Sequence, residues 1–344
     1  MAESPLISVI IPVHRVAEYL PECLDSVLGQ PAPPIEVIAV DDASPDDSGQ
    51  ILDQRAIADP RLRVVHLPAN GGQGPARNAG RALASGQYVW FVDGDDALAD
   101  GALAAIGARL ACGHPDVLLI GWVSSYPDGR TAPSPGTRLL AQVPAGGCTL
   151  ADLPRLVDLT MTSWSKLLRR EFLDVGFSSG IHEDVLVTSA SLLAATSIQA
   201  INQVCYRYRQ DRAGAAMATP SAGHLAIFDS YAQVFARLDR LSVSDAVRTA
   251  FFERAIWHYA TILEARAADG RGLVPPRERR RYFARMHDEF TARRPPGYRF
   301  PPGPRGIKFR LVATGSYPAY EFLQPLNRLR LAVTTRPAPS QDPA

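Results

Sequence analysis

Within the first 125 residues, short apolar runs of strand length alternate with stretches whose apolar residues recur at helical spacing, which confines the chain to a layered α/β fold. Leu6 to Val13 (LISVIIPV) is a β-branched run, expected to end at Pro12 because proline cannot continue a central ladder. From Ala17 to Leu28, Leu20, Cys23, Leu24, Val27 and Leu28 fall on one helical face. Ile35 to Val40 is a second strand, and Ser44-Pro45-Asp46-Asp47 has the composition of a helix start, with serine as N-cap and proline at the first position. Leu62 to Leu67 is a third strand, Gly74-Pro75 opens another helix, and Gln87 to Val92 is a fourth strand. The pattern predicts a doubly wound, mostly parallel sheet with helices on both faces, binding its ligands beyond the carboxyl ends of the strands.

Those ends carry the chemistry. The fourth strand, Tyr88-Val89-Trp90-Phe91-Val92, runs into Asp93-Gly94-Asp95-Asp96. Three carboxylates in four residues raise one another's pKa values unless a cation neutralises them. Oxygen ligands suit Mg²⁺ or Mn²⁺, and those ions commonly arrive with a substrate's phosphates. A solvated acidic turn is the plain alternative. The first strand ends at Pro12-Val13-His14 and the second at Asp41-Asp42. Asn70-Gly71-Gly72-Gln73-Gly74-Pro75-Ala76-Arg77-Asn78-Ala79-Gly80 is a glycine-rich loop with an arginine in the first turn of the following helix, a setting suited to an anion. It matches neither a P-loop nor a GxGxxG fingerprint.

Length and composition bound the rest. A chain of 344 residues, 46% hydrophobic, suffices for one large α/β domain with an appendage or for two domains. It has no apolar run long enough to span a bilayer, and its first residues lack the layout of a secretion signal, so a cytoplasmic protein is expected. Four cysteines, Cys23, Cys112, Cys148 and Cys205, show no CxxC spacing and are expected to be small buried hydrophobes. The net charge of +1 conceals an excess of eleven positive charges in residues 271–336, where fifteen Arg or Lys face four acids. No nucleic-acid partner is expected.

Taken together, ISVIIPVH, EVIAVDDAS, NGGQGPARNAG and GQYVWFVDGDD, in this order, resemble the nucleotide-sugar-binding half of inverting family-2 glycosyltransferases with the GT-A fold, over residues 6–125. The resemblance implies that Pro12, Val13, Asp42 and Asp41 hold the nucleobase and ribose of a nucleoside diphosphate sugar, with a UDP-sugar favoured. Arg77 and Asn78 lie beside that donor. Asp93, Asp95 and Asp96 form the donor's DxD-type site, with Asp95 and Asp93 on a Mn²⁺ or Mg²⁺ cofactor.

The acceptor side of the same family is resembled by Met161 to Leu168 (MTSWSKLL), followed by Phe177 and by Ile181-His182-Glu183-Asp184-Val185. This implies Asp184 as the catalytic base that deprotonates an acceptor hydroxyl, with Glu183 supporting it, and Trp164, Lys166 and His182 as acceptor contacts. Asp184 begins an expected helix to Ala194, whose dipole would keep the carboxylate ionised. Ser165 departs from the family's usual asparagine, and a buried core indole is an equal reading of Trp164. Tyr206 to Gly214 resembles the strand and basic loop that close over the donor diphosphate, where Arg209 or Arg212 would clamp phosphate. Ala215 and Ala216 stand in place of the family's serine, and a solvated arginine loop is an equal contender.

Residues 224–241 and 244–268 read as helices, with Leu225, Phe228, Tyr231, Phe235 and Leu238 as a packing stripe. Gly306 to Val333 mixes Phe309, Leu311, Tyr317, Tyr320, Phe322 and Leu323 with Lys308, Arg310, Arg328 and Arg330. This module either touches an anionic membrane surface or a phosphate-bearing acceptor, or is a packed helical extension with solvated arginines. The expected organisation is a GT-A domain over 1–215 (6–125 nucleotide-sugar binding, 126–215 acceptor side), a helical, basic region over 216–336 and a disordered tail over 337–344. The expected function is metal-dependent, inverting transfer of a sugar to a glycan, polyol-phosphate or lipid-linked acceptor in cell-surface polymer synthesis, with peripheral contact at the inner face of the cell membrane. A non-catalytic nucleotide-sugar-binding or scaffolding protein of the same fold is the alternative.

Overall fold

The computed structural model describes residues 4–159, 161–211, 219–267 and 270–323. Among them, residues 4–211 with 229–251 form one compact unit, and residues 219–228 with 252–323 form a second.

The first unit is built on a mixed sheet. Its elements in chain order are β1 (Ile7–Val13), α1 (Leu20–Leu28), β2 (Ile35–Asp41), α2 (Ser48–Ala58), β3 (Leu62–His66), α3 (Gln73–Leu83), β4 (Tyr88–Phe91), β5 (Ala97–Leu98), α4 (Ala102–Gly113), β6 (Val117–Ser125), β7 (Thr131–Pro133), the short α5 (Thr137–Leu140), β8 (Lys166–Arg169), α6 (Asp184–Ala194) and β9 (Ile198–Arg209). The strand order is β3-β2-β1-β4-β8-β6-β9-β5, with β7 on β6. β1, β2, β3 and β4 are mutually parallel; β8 runs against β4 and β6, while β9 is parallel to β6.

Strand periodicity assigns the two faces. Ile7, Val9, Ile11 and Val13 of β1 pack in one core with Leu20, Cys23, Leu24 and Val27 of α1 and Leu103, Ile106 and Leu110 of α4. Ile38 and Val40 of β2 point the other way, onto Ala76 of α3. Helices therefore cover both faces, and the central strands β1 and β4 are buried along their whole length, as parallel strands covered on both sides must be, whereas the edge strand β3 exposes Arg63 and His66. Gly80 lets α3 lie close, since a Cβ there would come within 2.5 Å of Ile10.

Three expectations are corrected. Pro12 does not end its strand, because it lies beyond the last β1–β4 pair, Ile10–Phe91, where β1 is paired only with β2 and a missing N–H is tolerated. Ser44-Pro45 does not open α2, which begins at Ser48 with Asp47 at the cap. The segment is instead consumed in ties between loops. The Ser44 amide donates to Asp41, and Asp46 accepts from the amides of Ala17 and Ser48. Cys23 and Cys205 are buried as expected, but Cys112 is exposed and Cys148 half-buried.

The remaining helices are α7 (Ala226–Arg240), α8 (Asp245–Glu264), α9 (Pro276–Arg293) and α10 (Gly303–Ala313). Phe228, Tyr231, Phe235 and Leu238 are buried, as the stripe predicted. In the second unit Phe228 packs on Tyr259 and Tyr282 at centroid distances of 4.4 and 4.8 Å, and Phe252 on Phe290 at 5.0 Å. Phe309 and Tyr320 are core residues, whereas Phe322 is exposed. Arg328, Arg330 and the tail over 337–344 lie outside the described residues. Among the described residues, no helix is long and apolar enough to cross a membrane.

Candidate active site

A cavity of about 300 Å³ opens at the carboxyl ends of β1, β2 and β4, lined by Pro12, Val13, His14, Arg15, Val16, Asp42, Asn70, Gly72, Gln73, Ala76, Gly94 and Asp95. The crossover topology brings these ends together, since β1 lies between β2 and β4. Asp42 is fixed by the loop it faces, its two carboxylate oxygens accepting from the amides of Gly71 at 2.8 Å and Gly72 at 2.7 Å. His14 and Asn70 approach each other from the β1 and β3 ends, at 2.9 Å.

The three carboxylates after β4 have separate partners. Asp95 lines the cavity. Asp93 accepts from Arg77 at 2.7 Å. Asp96 is buried, accepting from the Tyr206 hydroxyl and from the Arg209 amide, each at 2.7 Å. Burial, with Asp95 and Asp93 beside it, pushes Asp96 well above the ordinary carboxylate range. Tyr206 also accepts from the Asp93 amide at 3.1 Å, so one phenol braces both ends of the acidic turn. Cysteine sulfur supports the same turn, with Cys23 Sγ 3.6 Å from the Asp93 carbonyl.

Arg77, 2% exposed, lies in α3 and bridges Asp93 to Glu183 at the cap of α6, with its guanidinium also 5.5 Å from the Phe177 ring. Gly74 permits this approach: a Cβ there would lie 1.9 Å from the Ser178 carbonyl. Burial opposes the guanidinium's charge, but Asp93, Glu183 and Asp184 outweigh it. Asn78 binds the backbone of Phe177 through both its amide groups, at 2.8 and 2.9 Å. Neither Arg77 nor Asn78 lines the cavity; both tie α3 to the segment leading into α6.

Asp184 occupies the first turn of α6. Its pKa is pushed up to about 7, first by burial and then by Glu183, with Asp93 adding to the rise; Arg77 and Lys166 only partly offset it. Burial and the neighbouring carboxylates thus work against the ionised form, opposing the effect expected of the helix dipole. His182, which precedes the pair, has a left-handed backbone (φ 65°) and a buried ring, and its carbonyl accepts from Ser230 at 3.1 Å.

Trp164 and Lys166 are interior residues. The indole is 3% exposed and stacks on Tyr206 and Tyr208, the buried-core arrangement that was the equal reading of this residue. Lys166 is 1% exposed, with Nζ bonded to Ser165 Oγ at 2.8 Å and to the Thr162 carbonyl. Asp41 also turns from the cavity: its carboxylate accepts from the Ser44 amide at 2.9 Å and pairs with His66 Nδ1 at 2.9 Å. Arg209 donates Nε to the Asp95 carbonyl at 2.8 Å, pairs with Glu22 at 2.6 Å and lies 4.8 Å from the Tyr19 ring. Arg212 lies outside the described residues.

The sequence places Asn70 and Gln73 only within the glycine-rich loop and Tyr206 only within the strand before the basic loop, with no individual role, and it does not single out Glu22. Alternation along β9 was the available signal for Tyr206, which shares a strand face with Tyr208.

A divalent ion is implied by the acidic turn. Among the described residues no group of three or more His, Cys, Asp or Glu side chains is arranged to hold one. The donor chemistry nevertheless fits an ion held jointly with a diphosphate, because hard cations take one or two carboxylates and complete their shell with phosphate and water. Asp95 lines the cavity, and Asp93 stands beside it with one oxygen committed to Arg77.

Comparison with known proteins agrees with this geometry. Residues 8–177 match the family model described as glycosyl transferase family 2. The glycosyltransferase GlyG of Streptococcus pneumoniae is 32% identical over 231 residues, covering 63% of this chain and 74% of that protein. The uncharacterized glycosyltransferase EpsJ of Bacillus subtilis is 39% identical over 127 residues, covering 37% of each. Among solved structures, S. aureus TarS residues 1–349 in complex with UDP-GlcNAc superposes with a TM-score of 0.72 at 22% identity, covering 94% of this chain and 91% of that one. A mannosyltransferase from Pyrobaculum calidifontis in complex with GDP-Man and Mn²⁺ gives 0.55 at 19% identity, covering 97% and 87%. At such identities the superpositions speak for the GT-A fold alone, and it is the sequence matches to the family model and to GlyG that place this chain in glycosyl transferase family 2.

Proposed function

We propose that this chain is a metal-dependent, inverting glycosyltransferase. It moves a sugar from a nucleoside diphosphate sugar, uridine favoured, to a hydroxyl of a glycan, polyol-phosphate or lipid-linked acceptor in cell-surface polysaccharide synthesis, in contact with the inner face of the membrane. The observation that carries this reading is the chain of contacts Asp93–Arg77–Glu183, which sets Asp184 within the charge cluster of the acidic turn beside the cavity.

In this reading the nucleoside occupies the cavity between Pro12, Val13 and Asp42, and the diphosphate lies toward Asp95. The metal would be held by Asp95 and Asp93, and it would neutralise charge developing on the departing diphosphate. Asp184 Oδ takes the acceptor's hydroxyl proton as that oxygen attacks the anomeric carbon from the face opposite the leaving group. A single displacement of this kind inverts the configuration. A base with a pKa of about 7 is ionised in useful amount at neutral pH and still strong enough to accept a proton. Glu183 and Arg77 hold the base in place.

The uridine preference is supported by TarS, whose structures contain UDP-GlcNAc and UDP, and the metal by the Mn²⁺ of the Pyrobaculum mannosyltransferase. Incubation with a panel of nucleotide sugars and Mn²⁺, with product release as readout and NMR of the new anomeric centre, tests the proposal. Release by the wild type, loss in Asp184→Asn and an inverted product are expected. Intact donors throughout would overturn it.

A further inference from the structure

The second unit carries an unusual pairing of cations. The half-buried Phe300 ring stacks parallel to Phe290 at 6.1 Å, and two guanidiniums lie against it, Arg294 at 5.7 Å and Arg310 at 5.3 Å. Both arginines are exposed, and neither has a carboxylate partner among the described residues. A contrasting pair in the same unit shows how such repulsion is otherwise relieved. Arg305 and Lys308 share the Trp257 ring at 5.5 and 5.0 Å, and each has its own carboxylate, Glu253 at 3.6 Å and Glu264 at 2.5 Å. At Phe300 the aromatic face attracts the cations without cancelling their charge. Two exposed guanidiniums each within about 6 Å of one ring, with the exposed Arg299 next to it in sequence, gather the charge and donors that suit a phosphate.

Apolar exposure in the same unit chooses between sources of phosphate. Ile307 is 49% exposed and precedes Arg310 by three residues, so both lie on one face of α10. Phe322 is 75% exposed. A soluble polyanion would leave both side chains in water, whereas an interfacial surface takes up apolar side chains and binds arginine at the headgroups. Residues 271–323 carry twelve Arg or Lys and four acids, so the charge matches an anionic leaflet.

We propose that Arg294, Phe300 and Arg310 form a headgroup-phosphate site that seats this unit on an anionic phospholipid surface, with Ile307 entering the headgroup layer. The site deepens the membrane contact proposed above and is independent of the sugar chemistry, so its failure would leave donor turnover untouched. The test is sedimentation of the full chain with phosphatidylcholine vesicles and with vesicles containing phosphatidylglycerol. Binding should require the anionic lipid and weaken as salt rises. Arg294→Ser with Arg310→Ser should lower the partition coefficient roughly tenfold or more, and Ile307→Asp should lower it separately. Unchanged circular dichroism and unchanged donor turnover would show that these variants still fold. Equal binding to both vesicles, or no loss in the variants, overturns the proposal. So does binding to soluble polyphosphate that matches vesicle binding and ignores Ile307→Asp.

Discussion

The indole of Trp164 lies flat on the ring of Tyr206, with centroids 4.6 Å apart and planes inclined by 9°. Tyr206 in turn donates to Asp96 and accepts from the Asp93 amide, so the acidic turn after β4 rests on a stacked aromatic floor. Trp90 fastens the other side of that floor by donating its indole N–H to the Trp164 carbonyl at 2.8 Å. Trp164, which the family resemblance places at the acceptor, thus supports the acidic turn by packing.

Trp164→Ala is expected to cost about 3–5 kcal/mol of stability, the usual loss for a large buried aromatic. Urea denaturation measures this, and acceptor KM in the folded fraction should stay near the wild-type value. A stable variant with a strongly raised acceptor KM would return Trp164 to the acceptor site.

The proposed base, Asp184, is expected to set the pH dependence. The base acts only when deprotonated, so kcat/KM should rise with pH along a limb centred near 7 and level off above it. Asp184→Asn should remove the limb and reduce turnover by roughly 10²–10⁴, with donor binding retained. A limb near pH 4 would show that the carboxylate is not desolvated in solution.

Arg77 links stability to that profile. Arg77→Met leaves Asp93 and Glu183 without their shared cation, and breaking a buried pair costs about 3–5 kcal/mol. Arg77 also lowers the pKa of Asp184, so its loss should move the activity limb to higher pH. A thermal melt and a pH profile of the same variant test both effects. A limb that shifts to lower pH would contradict the arrangement.

His66 bridges Asp41 at 2.9 Å and Asp53 at 3.1 Å, and those bonds raise its pKa in the folded state above the ordinary 6.5. A raised folded pKa contributes stability that is complete below the unfolded value and is lost as pH rises through the folded one. His66→Leu should therefore lose stability at pH 6 relative to wild type, with the difference shrinking toward alkaline pH. Denaturation midpoints at several pH values measure it.

How much of this was legible depended on whether a local rule decided the matter. Periodicity alone identified β1, β2 and β4 and the α1 face, because strands buried on both sides have to be largely apolar. The same rules misjudged Ser44-Pro45, whose capping composition was used for loop-to-loop bonds, and Pro12, whose tolerance depends on where β4 stops pairing. The antiparallel β8, four residues long, carries too little pattern to be separated from a buried loop. The resemblance places Arg77 beside the donor; its ion pair with Glu183, 106 residues away, is a long-range contact that no local pattern encodes. The pKa of Asp184 likewise depends on burial among Glu183, Asp93 and Arg77, which local sequence does not encode.

The central claim is sugar transfer with Asp184 as base, and its most direct test is release of nucleoside diphosphate from a panel of nucleotide sugars by wild type and Asp184→Asn, with Mn²⁺ and with EDTA. The account predicts release by the wild type with Mn²⁺ for at least one uridine donor, and its loss in EDTA and in the folded variant. Equal release by wild type and Asp184→Asn, or no turnover of any donor by the wild type, would contradict it.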